Sequence, residues 1–249
     1  MNKKTPYLLL VLLVITGCAS QAKEQIKIAT STRHLGEDYL AQGNPIAALK
    51  ELTAAKKITP DDPYLHYALG MVYHDMEKYG LSETHLKKAI DLKPDYTEAM
   101  NSLGGVLMKQ KKWDRAIALF RETAGNLLYT TPHFPLSNMG WAFLRKGDYM
   151  RAEASFKKAL KTKPEFINAI HGLTSVYLAK GQTSLSRQLL EKALAKYPDS
   201  AILHVDLAKT LEILGLRKEA RQSWQQVIFL APESELSEKA TKQVSRLSP

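Results

Sequence analysis

From residue 29 to the C-terminus, apolar side chains recur every three or four residues, in runs of about a dozen positions separated by polar turns. That spacing is the period of amphipathic helices, and nothing in it alternates as a half-buried strand would. Proline punctuates the pattern at Pro60, Pro94, Pro164, Pro198 and Pro232, with gaps of 34, 70, 34 and 34 residues. The long gap is two units of 34 plus two inserted residues. Six frames follow: 29–62, 63–96, 97–130, 133–166, 167–200 and 201–234.

Each frame repeats the same internal spacing. Positions 7 and 8 read Leu35-Gly36, Leu69-Gly70, Leu103-Gly104, Met139-Gly140, Leu173-Thr174 and Leu207-Ala208. Position 20 is small throughout: Ala48, Ser82, Ala116, Ala152, Ser186 and Ala220. Position 24 is large and apolar: Leu52, Leu86, Phe120, Phe156, Leu190 and Trp224. Positions 4, 7, 8 and 11 share one face of a first helix, and positions 20, 24 and 27 share one face of a second. Small residues at 8 and 20 let the two backbones approach. Gly43, Gly147, Gly181 and Gly215 suit the turn that ends the first helix, and the proline ends the second. Tyr79, Trp113 and Tyr149, at position 17, are expected to pack between helices.

This spacing resembles the tetratricopeptide repeat at nearly every signature position, six times over. The resemblance implies an all-α, right-handed superhelix of six repeats, or twelve antiparallel helices, in which stacked neighbours bury a continuous core. Beyond it, Leu236, Ala240, Val244 and Leu247 line one helical face and predict a C-terminal capping helix over 235–249.

The N-terminus departs from the repeat. Lys3 and Lys4 precede an apolar run from Tyr7 to Ile15, which is too short to span a bilayer as a helix and reads as a secretory leader over 1–17. It ends in Ile15-Thr16-Gly17-Cys18, which resembles a bacterial lipobox. Cys18, the chain's single cysteine, is then the lipidation site, carrying diacylglycerol and an N-acyl chain; no other cofactor is expected. Two or more acyl chains anchor stably. Ala19, in place of the Asp that marks inner-membrane retention, resembles an outer-membrane address. Residues 18–28 are expected to tether the repeats to the periplasmic face of that membrane.

Composition is otherwise average, with 45% hydrophobic and 24% charged residues. One cysteine excludes an intramolecular disulfide and a Cys-based zinc site. The formal charge of +10 raises the question of nucleic acid, but loss of Lys3 and Lys4 with the leader lowers it by two, to +8. Much of that charge, including Lys56-Lys57, Lys87-Lys88 and Lys157-Lys158, falls late in second helices, where it complements the helix dipole. Neither nucleic acid nor a small-molecule substrate is expected.

Positions 2, 5, 9 and 12 of the first helices are not fixed by packing and line the concave surface of such repeats. They offer Tyr64, Tyr67, Met71 and His74, then Asn101 and Met108, then Phe134 and Trp141, then Asn168 and His171. Aromatic anchors with a few amides suit a peptide from a partner protein. The alternative for each is packing on a neighbouring repeat. His66 and His204, at position 4, read as packing residues. Repeat three lacks its proline, and 126–135 forms a longer connection. The chain carries no HExxH, GxSxG, GxGxxG or P-loop, so no enzymatic activity and no metal site are expected.

Leader, lipobox, six repeats and the stretch from Leu128 to Leu144 together resemble the type IV pilus biogenesis lipoproteins, the pilotins of the PilF/PilW family. That resemblance implies a non-enzymatic outer-membrane factor whose partners are secretin subunits or pilus assembly proteins, and which promotes secretin localisation and multimerisation. The cysteine pair that staples some members is absent. Two other readings stay open: an adaptor that recruits peptidoglycan hydrolases or proteases, and a scaffold for another secretion or polysaccharide-export apparatus.

Overall fold

The structure is a computed structural model that describes residues 5–126 and 129–248, with side chains described from Gln21 onward. The leader and Cys18 lie outside the described side chains. Among the described residues the chain forms thirteen α-helices and no strand. It divides into two compact units, Met1–Gln110 and Lys111–Pro249.

The first unit holds α1 (Thr5–Ala41), α2 (Pro45–Ile58), α3 (Pro63–Asp75), α4 (Tyr79–Leu92) and α5 (Thr97–Lys109). The second holds α6 (Trp113–Gly125), α7 (His133–Arg145), α8 (Tyr149–Thr162), α9 (Ile167–Ala179), α10 (Thr183–Leu194), α11 (Ala201–Ile213), α12 (Arg217–Leu230) and α13 (Glu235–Arg246). In both units, consecutive helices pack as hairpins, the α-helical pairs expected of the repeat.

Local chemistry sets the helix boundaries. Asn44 Oδ1 accepts from the Ala47 N–H at 3.1 Å, and Asp62 Oδ1 from the Tyr64 N–H at 2.8 Å. In each case a proline occupies the first helical turn, where its missing N–H costs no intrahelical bond. At position 15 the backbone is left-handed in every repeat. Gly43, Gly147, Gly181 and Gly215 supply it in four, but Glu77 (φ 57°) and Lys111 (φ 59°) adopt it without glycine. The next N–H then reaches back to position 11, as from Lys78 to the Tyr73 carbonyl at 2.8 Å and from Gln182 to that of Tyr177 at 2.8 Å. These bonds close the helix end.

Close approach at position 8 is equally plain. A Cβ on Gly36 would lie 2.7 Å from Leu52 Cγ, and one on Gly70 2.7 Å from Leu86 Cγ. Leu52, Leu86, Phe120, Phe156 and Leu190 at position 24 are fully buried. Where position 20 is serine, the hydroxyl finds a partner: Ser82 Oγ donates to the Gly70 carbonyl at 2.7 Å, and Ser186 Oγ pairs with Thr210 Oγ1 at 2.8 Å.

Two expectations change. Residues 21–28, part of the stretch 18–28 read as a tether, lie within helix α1; every side chain in them is exposed, and burial begins at Ala29. A helical path rises only ~1.5 Å per residue, less than half the reach of extended chain. Tyr149, expected to pack between helices, is exposed, while Tyr79 and Trp113, which open α4 and α6 in the same way, are half-buried. In the long connection after α6, Leu127 and Leu128 lie outside the described residues.

At the C-terminus, Leu236, Ala240 and Val244 of α13, with Leu247 just after it, pack on Val205, Ala208, Trp224 and Val227. That contact covers the apolar face that the sixth repeat would otherwise leave open.

Candidate protein-binding surfaces

In the first unit the concave positions of α3 meet the end of α4. Tyr64 follows Pro63 at the start of α3 and stays exposed. Its ring meets Tyr96 edge-on at 5.4 Å, and the Tyr67 ring lies 5.2 Å from the same Tyr96. Lys93 Nζ donates to Tyr64 Oη at 3.1 Å and sits over the Tyr64 and Tyr96 rings at 4.9 and 4.8 Å. Arg33 approaches Tyr64 from the other side, its guanidinium 5.2 Å from the ring and 3.6 Å from Asp62. Two cations thus stand against one phenol, the geometry of cation–π attraction. The bond to Tyr64 holds the Lys93 ammonium above its ordinary pKa, and burial pushes the Tyr96 hydroxyl up. His74 faces elsewhere: its Nδ1 lies 3.2 Å from Asp75 Oδ1 and its ring meets Tyr79. Met71, Asn101 and Met108 are half-buried on α3 and α5.

In the second unit a polar network crosses three first helices. Trp141 Nε1 on α7 donates to Asn168 Oδ1 on α9 at 2.6 Å, and Ser137 Oγ donates to the same oxygen at 3.0 Å. The Trp141 ring also lies 5.1 Å from His171. His171 Nδ1 donates to Asp206 Oδ2 on α11 at 2.6 Å, and Asp206 is buried. Phe134 belongs to a separate cluster with His133 and Phe166, at ring distances of 4.4 and 5.2 Å. Burial, and then Lys163, lower the His133 pKa.

The structure therefore groups Tyr64 with Tyr67, and Trp141 with Asn168 and His171, while His74 and Phe134 join other contacts. Sequence reasoning missed Arg33, Lys93, Tyr96, Phe166 and Asp206. Tyr96 and Phe166 occupy position 34, just before the next first helix, and Asp206 interrupts an otherwise apolar face of α11. A buried acid one repeat after a concave histidine was the one available signal. His66 and His204 do more than fill space. Each donates from Nε2 to the proline carbonyl six residues earlier, Pro60 at 2.9 Å and Pro198 at 2.8 Å, which ties the end of one repeat to the start of the next.

Lysines of the second helices sit in surface pairs: Lys87 with Glu83 at 2.8 Å, Lys88 with Asp61 at 3.0 Å, Lys157 with Glu153 at 2.6 Å. Glu153 also takes Lys180 at 2.7 Å, and the two bonds hold its carboxyl below the usual range. Among the described residues, no helix is long and apolar enough to cross a membrane and no group of three metal-ligating side chains converges.

Tetratricopeptide repeat profiles match residues 67–127, 136–166 and 173–235, more than half of the chain. The chain belongs to the tetratricopeptide repeat family. Within it, the chain is 24% identical over 169 residues to the type IV pilus assembly protein PilF of Pseudomonas aeruginosa, a match spanning 65% of the chain and 67% of that protein. It is 22% identical over 196 residues to the bovine BBSome complex member BBS4, which covers 79% of the chain but 37% of the bovine protein. The crystal structure of PilW, described as a widely conserved type IV pilus biogenesis factor, superposes with a TM-score of 0.76 at 20% identity, covering 86% of this chain and 98% of that one. The solved structure of Pseudomonas aeruginosa PilF superposes with a TM-score of 0.70 at 20% identity, covering 88% and 99%.

Proposed function

We propose that this protein is a lipid-anchored pilotin: a non-enzymatic factor on the periplasmic face of the outer membrane that binds the type IV pilus secretin and promotes its localisation and multimerisation. The observation that carries the reading is the match to PilF and PilW. It spans nearly the whole of both solved chains, whereas BBS4 shares only a part of its length. The sequence adds Cys18 at the one place where a lipobox requires it. The concave surfaces add exposed aromatic side chains, Tyr64 in one unit and Phe134 in the other, that folding alone does not bury. Such residues are typical anchors for a partner protein.

Deletion of the gene tests the proposal. The expected result is loss of twitching and of heat-stable secretin multimers, both restored by the wild-type chain. Normal multimers in the deletion strain overturn it.

A further inference from the structure

The second unit also contains a groove of about 670 Å³ between α9, α11, α12 and α13. Its floor is apolar: Leu178, Ile202, Ile213 and Trp224 line it. Ile213 stands 62% exposed there. The rim is cationic. Lys209 projects from α11, and Lys239 and Arg246 from α13.

The charges are not balanced within the groove. Its one carboxylate, Glu212, accepts from Trp224 Nε1 at 2.7 Å and from Arg246, so it is already committed. Lys239 reaches Glu235 only at 3.5 Å, and Lys209 has no ionic partner among the described residues. At the far end, His171 lines the groove, its Nδ1–H given to Asp206.

Helix α13 therefore has two faces. Ala240, Val244 and Leu247 pack on the last repeat, while Lys239 and Arg246 turn toward the groove. The helix that ends the stack also builds one wall of a site.

We propose that this groove binds a short peptide segment of a partner protein, one that carries a large apolar side chain flanked by carboxylates. The apolar side chain packs on Ile213, and the carboxylates meet Lys209 and Lys239. Charge complementarity of this kind sets specificity and association rate. A volume of this size is typical of clefts that enclose a few side chains. The proposal rests on the reading of the protein as a binding factor, and it adds the location and chemistry of the bound segment.

The test begins with the full chain, purified in detergent and panned against a random dodecapeptide library displayed on phage. Enriched peptides are expected to place Leu, Phe or Trp beside Asp or Glu. The best of them, synthesised and labelled, is expected to bind Ile213→Asp and Lys209→Glu at least tenfold more weakly than wild type. Both substitutions are at exposed positions, and unchanged melting temperatures confirm folding. Failure of the library to enrich, enrichment of peptides without carboxylates, or equal binding by both variants overturns the proposal. In cells, a strain carrying Ile213→Asp that assembles normal secretin multimers, beside a deletion strain that does not, overturns the groove while the pilotin reading stands. Normal multimers in both overturn the pilotin reading, whatever the peptide result.

Discussion

Asn168 Oδ1 accepts two hydrogen bonds from α7, one from the Trp141 indole and one from the Ser137 hydroxyl, at 2.6 and 3.0 Å. One amide oxygen on the concave surface thus joins two repeats, on a residue that the sequence offered to a partner. Ser137 is almost fully buried, so removing its acceptor leaves a hydroxyl with no water to replace it. Asn168→Ala is expected to cost about 1–3 kcal/mol in chemical denaturation. Adding Ser137→Ala is expected to cost little more, and a double-mutant cycle reads that coupling. Full additivity contradicts the shared acceptor.

His66 and His85 form a neutral pair. His66 gives its Nε2–H to the Pro60 carbonyl, so its Nδ1 accepts from His85 Nδ1 at 3.0 Å. Their rings stack at 5.1 Å, and His85 stacks on Tyr73 as well. Burial, then the positive charge of Lys56, hold the His85 pKa down at about 4, and burial also lowers that of His66. Unfolded histidine takes its proton near 6.5. Between about pH 6.5 and 4 the unfolded chain therefore binds more protons, and stability falls with pH across that window. The contribution is intact above 6.5 and gone below 4. His85→Gln is expected to flatten the dependence of the urea midpoint on pH in that window. An unchanged slope contradicts the assignment.

Glu77 and Lys111 hold the left-handed turn that glycine holds in the other four repeats. An L side chain there costs about 1–2 kcal/mol. Glycine removes that cost but adds about 0.5–1 kcal/mol of unfolded-state freedom. Glu77→Gly and Lys111→Gly are each expected to stabilise the chain by about 0.5–1 kcal/mol, measured as a rise in denaturation midpoint. A fall at either position means that the side chain contributes more than its backbone costs.

The helical hairpins were legible because the same physical demand recurs every 34 residues: a small residue where backbones cross, a large one where they enclose space, a proline where the helix must stop. Leu52 and Leu86 against Gly36 and Gly70 could be read from spacing alone. The pairings that build the concave surfaces were not legible. Tyr64 with Lys93, Trp141 with Asn168 and His171 with Asp206 are separated by 29, 27 and 35 residues. Each links side chains at positions the repeat leaves free, so no periodic signal marks them. Tyr149 was misjudged because its position is covered at Tyr79 and Trp113 but left exposed here, a difference that the repeat spacing does not carry.

Gly172 occupies position 6, where the repeat pattern asks for no small residue. A Cβ there would stand 2.2 Å from Cε1 and Cζ of Phe156, while one on Gly140 would stand 2.8 Å from Cδ1 of the same ring. Phe156 is fully buried between the two glycines, so its ring has no room to retreat. Where position 24 is the shorter Leu, at Leu52, Leu86 and Leu190, position 6 of the next repeat carries Ala68, Ser102 and Asp206 in place of glycine. Gly172→Ala is expected to destabilise the chain by about 1–3 kcal/mol through overpacking. Phe156→Leu alone is expected to cost about 1 kcal/mol or more by opening a cavity. Combined, the two changes are expected to cost clearly less than their sum, because the new methyl enters the space that the ring vacates. Thermal unfolding of the two single variants and the double variant decides the point, and additive losses contradict the pairing of Gly172 with Phe156.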